Sequence, residues 1–264
     1  MTTAGIYTRL FPGCSVRRAY KRLLVLKKAG FIRYKNLSDT RGFVWALTKK
    51  GYASVRPKLP SLKEDGFRCE FLEHDLLTAF VQLGPRALED QEIPMVTEQE
   101  LRRFDACHYP TWIPRSTAHR SDGYWKSSSE NPDTCVALEV ELTLKKDTEY
   151  EGVALFYADF PGVTTVLWVV NKVTHAKKIR ALLKASEPRA IAKHRFVLVE
   201  DLKLDGWDAK FLNGPEESGT LKRLLGKKMA QSWLNVATLS ILDTRKFPYD
   251  LVTYETRKTA SNLH

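Results

Sequence analysis

Asp122, Glu139 and Glu141 carry the strongest chemical signal in this sequence. The run Thr134-Cys135-Val136-Ala137-Leu138-Glu139-Val140-Glu141-Leu142-Thr143-Leu144 alternates as a strand. Val136, Leu138, Val140, Leu142 and Leu144 then share one face, and Ala137, Glu139, Glu141 and Thr143 the other. Two carboxylates thus project the same way from a strand with an apolar reverse side, which is costly unless a cation or hydrogen-bond donors compensate. With Asp122 as a third oxygen ligand, the set predicts a site for a hard divalent ion, Mg²⁺ or Mn²⁺. Such an ion activates water and stabilises a pentavalent phosphate. On the same alternation Lys145 shares the face of Glu139 and Glu141. Lys145, or its neighbour Lys146, is the cation that would orient water or neutralise the transition state. Taken alone, the three acids also fit a half-exposed strand with solvated glutamates.

Other chemistries lack their signals. There is no GxxxxGK[ST] or GxGxxG run, so no nucleotide cofactor is expected. Cys107, His108, His119 and Cys135 fit none of the usual zinc-ligand spacings. The four cysteines form no CxxC pair, no run of eighteen apolar residues occurs, and residues 1–15 lack the pattern of a signal peptide. These features predict a cytoplasmic protein with reduced thiols and no membrane partner.

The elements that must position the acids read as an α/β domain. Glu70 to Leu83 is an amphipathic helix ended by Gly84-Pro85, and Arg120 to Trp125 starts a hairpin. After the acidic strand come a helix over Asp147 to Ala158, with Val153, Leu155 and Phe156 available to pack, and a buried strand over Val163 to Val170. A helix over His175 to Ala185 and a strand over Arg195 to Val199 follow. That helix carries Lys177, Lys178, Arg180 and Lys184; its cations read more simply as solvated surface than as a DNA contact. Residues 91–118 are uninformative, with Glu98 to Phe104 as a candidate helix, and 203–264 read as a packed extension through Trp207, Trp233 and Phe247.

Charge separates the amino-terminal segment from all of this. Of a net charge of +11, residues 1–60 hold 14 Lys and Arg against Asp39 alone, while 61–264 hold 28 basic and 30 acidic residues. That concentration is a footprint of nucleic-acid binding. Ser15 caps a predicted helix over 16–28 with Gly30 as its left-handed stop, and Phe31-Ile32-Arg33-Tyr34 and Phe43-Val44-Trp45-Ala46-Leu47 form two strands. Thr48 caps a further short helix. This order resembles a winged helix-turn-helix, with residues 15–29 as the recognition helix. The resemblance implies Arg17, Arg18, Lys21, Arg22 and Lys28 as contacts to double-stranded DNA and Arg41 as the wing contact. Only Met1 to Phe11 precede the Pro12-Gly13 turn, too little for the full helix that usually leads such domains.

Asp122, then sixteen residues, then Glu139-Val140-Glu141 is the outline of the PD-(D/E)XK nuclease fold, with Glu141 where lysine normally stands. The order of motifs across residues 6–200 is also similar to that of the replication-relaxation family. It comprises Glu73-His74-Asp75-Leu76, His119-Arg120-Ser121-Asp122-Gly123, Leu138-Glu139-Val140-Glu141-Leu142-Thr143, a helix with Tyr150 and Tyr157, the strand over Val166 to Val170 and the basic helix over 174–185. Ser121 stands where a proline is common. The resemblance implies a plasmid or mobile-element protein with a winged helix (1–60), a nuclease-like mixed sheet flanked by helices (67–212) and a helical extension (213–264). That extension either completes the second domain or pairs two copies into a homodimer. Two functions follow: a metal-dependent endonuclease that nicks or cuts DNA, or an inactive nuclease-like scaffold serving a transcriptional or replication regulator.

Overall fold

A computed structural model of the chain describes residues 14–36, 43–55, 72–83, 94–102, 104–126, 134–212 and 219–224. Arg41, residues 56–71, residues 127–133 and nearly all of 213–264 lie outside the described residues. The chain divides into two compact units, Met1–Leu59 with Val236–His264, and Pro60–Asn235. No helix among the described residues is long and apolar enough to cross a membrane.

In the first unit, α1 (Val16–Lys28) starts at Ser15, whose hydroxyl accepts from the Arg18 amide at 3.3 Å. It stops at Gly30, where φ is +77°. The Phe31 amide donates to Leu26 O at 3.0 Å and the Gly30 amide to Lys27 O at 2.9 Å, so the last turn is closed by two backbone bonds that need the left-handed glycine. Ala19, Tyr20 and Leu23 are buried, while Arg17, Arg18, Lys21, Arg22 and Lys28 are exposed. The strands β1 (Ile32–Asn36) and β2 (Phe43–Leu47) pair antiparallel from Ile32 opposite Leu47 to Asn36 opposite Phe43. Trp45 meets Tyr20 and Tyr34 edge-on, with ring centroids 6.3 Å and 5.5 Å away. Helix α2 (Lys49–Val55) follows, with Thr48 Oγ1 accepting from the Gly51 amide at 3.1 Å.

The second unit is built on a five-stranded mixed sheet. Its strands β3 (Met95–Thr97), β4 (Gly123–Lys126), β5 (Cys135–Glu141), β6 (Val163–Val170) and β7 (His194–Leu198) lie in sequence order. The pairs β3/β4 and β4/β5 are antiparallel, and β5/β6 and β6/β7 parallel. Helix α3 (Leu72–Leu83) precedes β3, and the short α4 (Glu98–Leu101) follows it under a Thr97 and Glu100 capping box. The crossover helices are α5 (Asp147–Asp159) and α6 (Val173–Ser186). Beyond β7 come α7 (Val199–Asp205) and α8 (Leu221–Leu224).

All seven residues of β5 are buried, because both faces are covered. Cys135 and Ala137 join the main core cluster with Tyr150, Ala154 and Tyr157 of α5, Trp168 of β6 and Ile179 and Leu183 of α6. Trp207 is buried against Trp125, with ring centroids 6.4 Å apart.

Several sequence expectations are corrected. The acidic strand ends at Glu141 rather than Leu144, so Lys145 sits in the connection to α5 and strand alternation does not govern it. The reading of solvated glutamates fails, since Glu139 and Glu141 are each 4% exposed. Leu155, expected to pack, is 53% exposed; the inward face of α5 is Tyr150, Ala154 and Tyr157, at helical spacing of four and three. The segment 91–118 hides a strand, β3, too short to show a period.

Candidate functional site

The acids of the second unit gather at one end of the sheet. Asp122 stands immediately before β4 and is fixed by its backbone: its amide donates to Leu138 O at 3.0 Å, and its carbonyl accepts from the Glu98 amide and from Gln82 Nε2. Its side chain extends the pairing of β4 with β5, Oδ2 accepting from the Val140 amide at 2.7 Å. Ser121 is fully buried, with Oγ 2.8 Å from Gly123 O and 2.7 Å from Leu138 O. Its hydrogen serves one carbonyl at a time, while its oxygen accepts from the Gly123 amide at 3.3 Å.

Glu139 points toward α5. Its Oε1 takes a hydrogen bond from the Tyr157 hydroxyl and lies 2.7 Å from His119 Nε2. Burial opposes the charged His119 ring, but Glu139 outweighs it, and the imidazole is held protonated above its usual range. Burial pushes the Tyr157 phenol well above 10.0, with Glu139 adding to it, so Tyr157 stays a donor.

Glu141, two residues on, faces the same way. Burial pushes its carboxyl up, and the nearby Lys145 opposes the shift. Lys145 Nζ lies 3.1 Å from Glu141 Oε2, and the Lys145 amide donates to the Tyr150 hydroxyl oxygen at 2.9 Å. The ammonium is partly desolvated, yet Glu141, Glu139 and Asp122 together hold its pKa above the usual value. Lys145 therefore reaches the acidic face from the connection after the strand.

His74 completes the set from α3, with Nε2 3.5 Å from Asp122 Oδ1 and Nδ1 3.6 Å from Asp75 Oδ1. Burial works against its charge, but these two carboxylates raise its pKa to about 10. It lines a cleft of about 190 Å³ with Thr78, Gln82, Thr97, Gln99 and Asp122. A larger cleft, about 490 Å³, is lined by Trp112, Arg115, Thr134, Phe160 and Val163 at the opposite ends of β5 and β6, away from the acids.

The structure thus brings Asp122, Glu139, Glu141 and Lys145 to one sheet end and gives each acid a cationic partner: His74, His119 and Lys145. Among the described residues, no three His, Cys, Asp or Glu side chains converge as a metal-ligand group. The donor set still suits a hard divalent ion in its chemistry, being three carboxylates, two on β5 and one immediately ahead of the neighbouring β4. Cys107 Sγ lies 3.5 Å from His108 Nδ1, His119 faces Glu139 and Cys135 is fully buried. Tyr150 and Tyr157 enter the sequence reading only as part of the motif order; their contacts, the Tyr157 hydroxyl on Glu139 and the Tyr150 hydroxyl under the Lys145 amide, are what the structure adds.

Comparison with known proteins gives no matching family model, no matching curated protein and no matching solved structure.

Proposed function

We propose that this is a DNA-acting protein of plasmid or mobile-element type, which binds double-stranded DNA through α1 and cuts or nicks the phosphodiester backbone at the acidic end of β5. The observation that carries the reading is the buried pair Glu139 and Glu141, with Lys145 Nζ 3.1 Å from Glu141 Oε2 and Asp122 tied to the same strand at Val140. Burying two like charges without a task is costly. Asp122 ahead of a second strand, two glutamates on a third, and a crossover helix leading to a parallel fourth strand also support a nuclease-like fold of the kind the replication-relaxation resemblance implies. The exposed Arg17, Arg18, Lys21 and Arg22 on α1, followed by an antiparallel strand pair, support a winged-helix contact with DNA.

In this mechanism Asp122, Glu139 and Glu141 would hold Mg²⁺ or Mn²⁺, which when bound supplies an activated water and neutralises charge on the phosphate. The chain's own groups do the rest. His119 and Tyr157 fix the Glu139 carboxylate, the Val140 amide fixes Asp122, and Lys145 keeps a positive charge beside Glu141 that would neutralise charge on a bound phosphate.

A second reading rests on the three cation partners. Asp122, Glu139 and Glu141 are balanced by His74, His119 and Lys145 without any metal, as expected of a nuclease-like platform that serves a regulator rather than cutting. Purified protein incubated with supercoiled plasmid and Mn²⁺ or Mg²⁺, beside the Glu139→Ala/Glu141→Ala variant, separates the two. Metal-dependent nicking that the variant loses is the expected result. Gel-shifted but intact plasmid with both proteins would overturn the nuclease reading and leave the regulator.

A further inference from the structure

We propose that the outward face of α6 is a second DNA contact, a ridge of Lys177, Arg180 and Lys184 headed by Lys172, which grips the phosphate backbone beside the acidic site. The proposal rests on the DNA-acting reading above and deepens it. Residues 171–186 contain Lys172, Lys177, Lys178, Arg180 and Lys184 and no acid, within a stretch from 61 to 264 whose acids slightly outnumber its bases. Ala176, Ile179 and Leu183 turn inward, which leaves Lys177, Arg180 and Lys184 on one exposed stripe at spacings of three and four.

Local stability accounts for Lys184, in the last turn where the macrodipole favours a cation, but not for the other cations of the ridge. A cation at a helix start opposes the macrodipole, yet α6 begins after Lys172, which makes no side-chain cap, and its first turn has no acid. Lys178 pairs with Asp147 of α5 at 2.8 Å; among the described residues no ion pair joins Lys172, Lys177, Arg180 or Lys184 to an acid. Four exposed cations with no counter-charge among the described residues match a polyanion.

The position of α6 points the same way. Val170, at the end of β6, is in register with Glu141, and Asn171 Nδ2 donates to Leu142 O at 3.0 Å. Lys172 and the start of α6 therefore share a sheet end with Glu141, Lys145 and Lys146. From Lys177 to Lys184 the stripe runs about 10 Å along the helix axis. That is about three base steps of duplex, enough for two or three phosphates.

The test is a titration of a short labelled duplex with the full chain at several salt concentrations. Lys177→Ala/Arg180→Ala/Lys184→Ala and Arg180→Ala are compared with wild type and with Lys203→Ala, whose lysine is paired with Glu200 on α7. Each phosphate contact contributes about 0.9 to the slope of log K against log salt. The triple variant is expected to flatten that slope by about 2 to 3 and Arg180→Ala by about 1, with Lys203→Ala unchanged. An unchanged slope in the triple variant overturns the ridge. So does loss, in that variant, of binding to phosphatidylserine vesicles while duplex binding persists. Nicking is read separately, so the ridge survives if the slope falls and no variant cuts, and fails alone if wild type cuts and the slope stands still.

Discussion

At the scale of single residues, the acidic site is a set of paired charges, and pairing makes stability depend on pH. His74 is raised from 6.5 to about 10 against the cost of its burial, because it lies between Asp122 and Asp75. Its folded pKa exceeds its unfolded one, so its contribution is complete below about pH 6.5 and is lost as pH climbs toward 10. His119 is shifted in the same direction by Glu139. The thermal midpoint of the wild type is therefore expected to fall across that window, and His74→Gln to remove part of the fall. Parallel profiles for the two proteins from pH 6.5 to 10 would contradict the His74 assignment. Alternation in the sequence was enough to place Glu139 and Glu141 on one face. It could not supply their partners, because His119 comes from an irregular stretch and Tyr157 from a different element. Lys145 lies beside Glu141, but strand alternation does not put it there, since the strand has already ended and the connection carries it.

At the scale of elements, the first unit depends on a close approach that sequence pattern does not reveal. Gly51 lies in α2, and a Cβ there would meet Phe31 O at 1.9 Å and Phe31 C at 2.8 Å, both backbone atoms that cannot swing away. Thr48 locks the same corner, its amide donating to Phe31 O at 3.0 Å and its Oγ1 lying 2.5 Å from Gly30 O. In an open helix, Gly→Ala would stabilise by about 0.5–1 kcal/mol. Here overpacking wins, and Gly51→Ala is expected to destabilise the first unit by about 2 kcal/mol. Urea melts of the full chain test this, and a midpoint equal to or above that of wild type would show that α2 sits farther from Phe31 than described. The boundaries of α1 and β2 and the start of α2 were legible because Ser15, Gly30 and Thr48 are strong caps and stops. The inward face of α5 was not, because aromatic and aliphatic residues occur all round it and tertiary packing selects Tyr150 and Tyr157 over Leu155.

At the scale of the whole chain, the division of charge sets the energetics of any DNA complex. The first sixty residues carry a concentrated excess of cations, and the rest of the chain is nearly balanced yet keeps an acid-free run at 171–186. Arg17, Arg18, Lys21 and Arg22 are exposed on α1, and Lys177, Arg180 and Lys184 on α6, which lie in separate compact units. Counterions released at one set do not depend on those released at the other, so salt slopes should add even where affinities do not. Affinities fail to add because two tethered contacts raise each other's effective concentration, and loss of either forfeits that advantage. Replacing the four α1 residues by alanine is expected to flatten the slope by about 3 to 4, the α6 triple by about 2 to 3, and both together by the sum. The combined variant should nevertheless lose less affinity than the two separate losses predict. Salt-dependent anisotropy of the four proteins checks both statements. Equal slopes for wild type and the α1 variant would remove α1 as a DNA contact, while a combined slope no flatter than that of the α1 variant alone would remove α6.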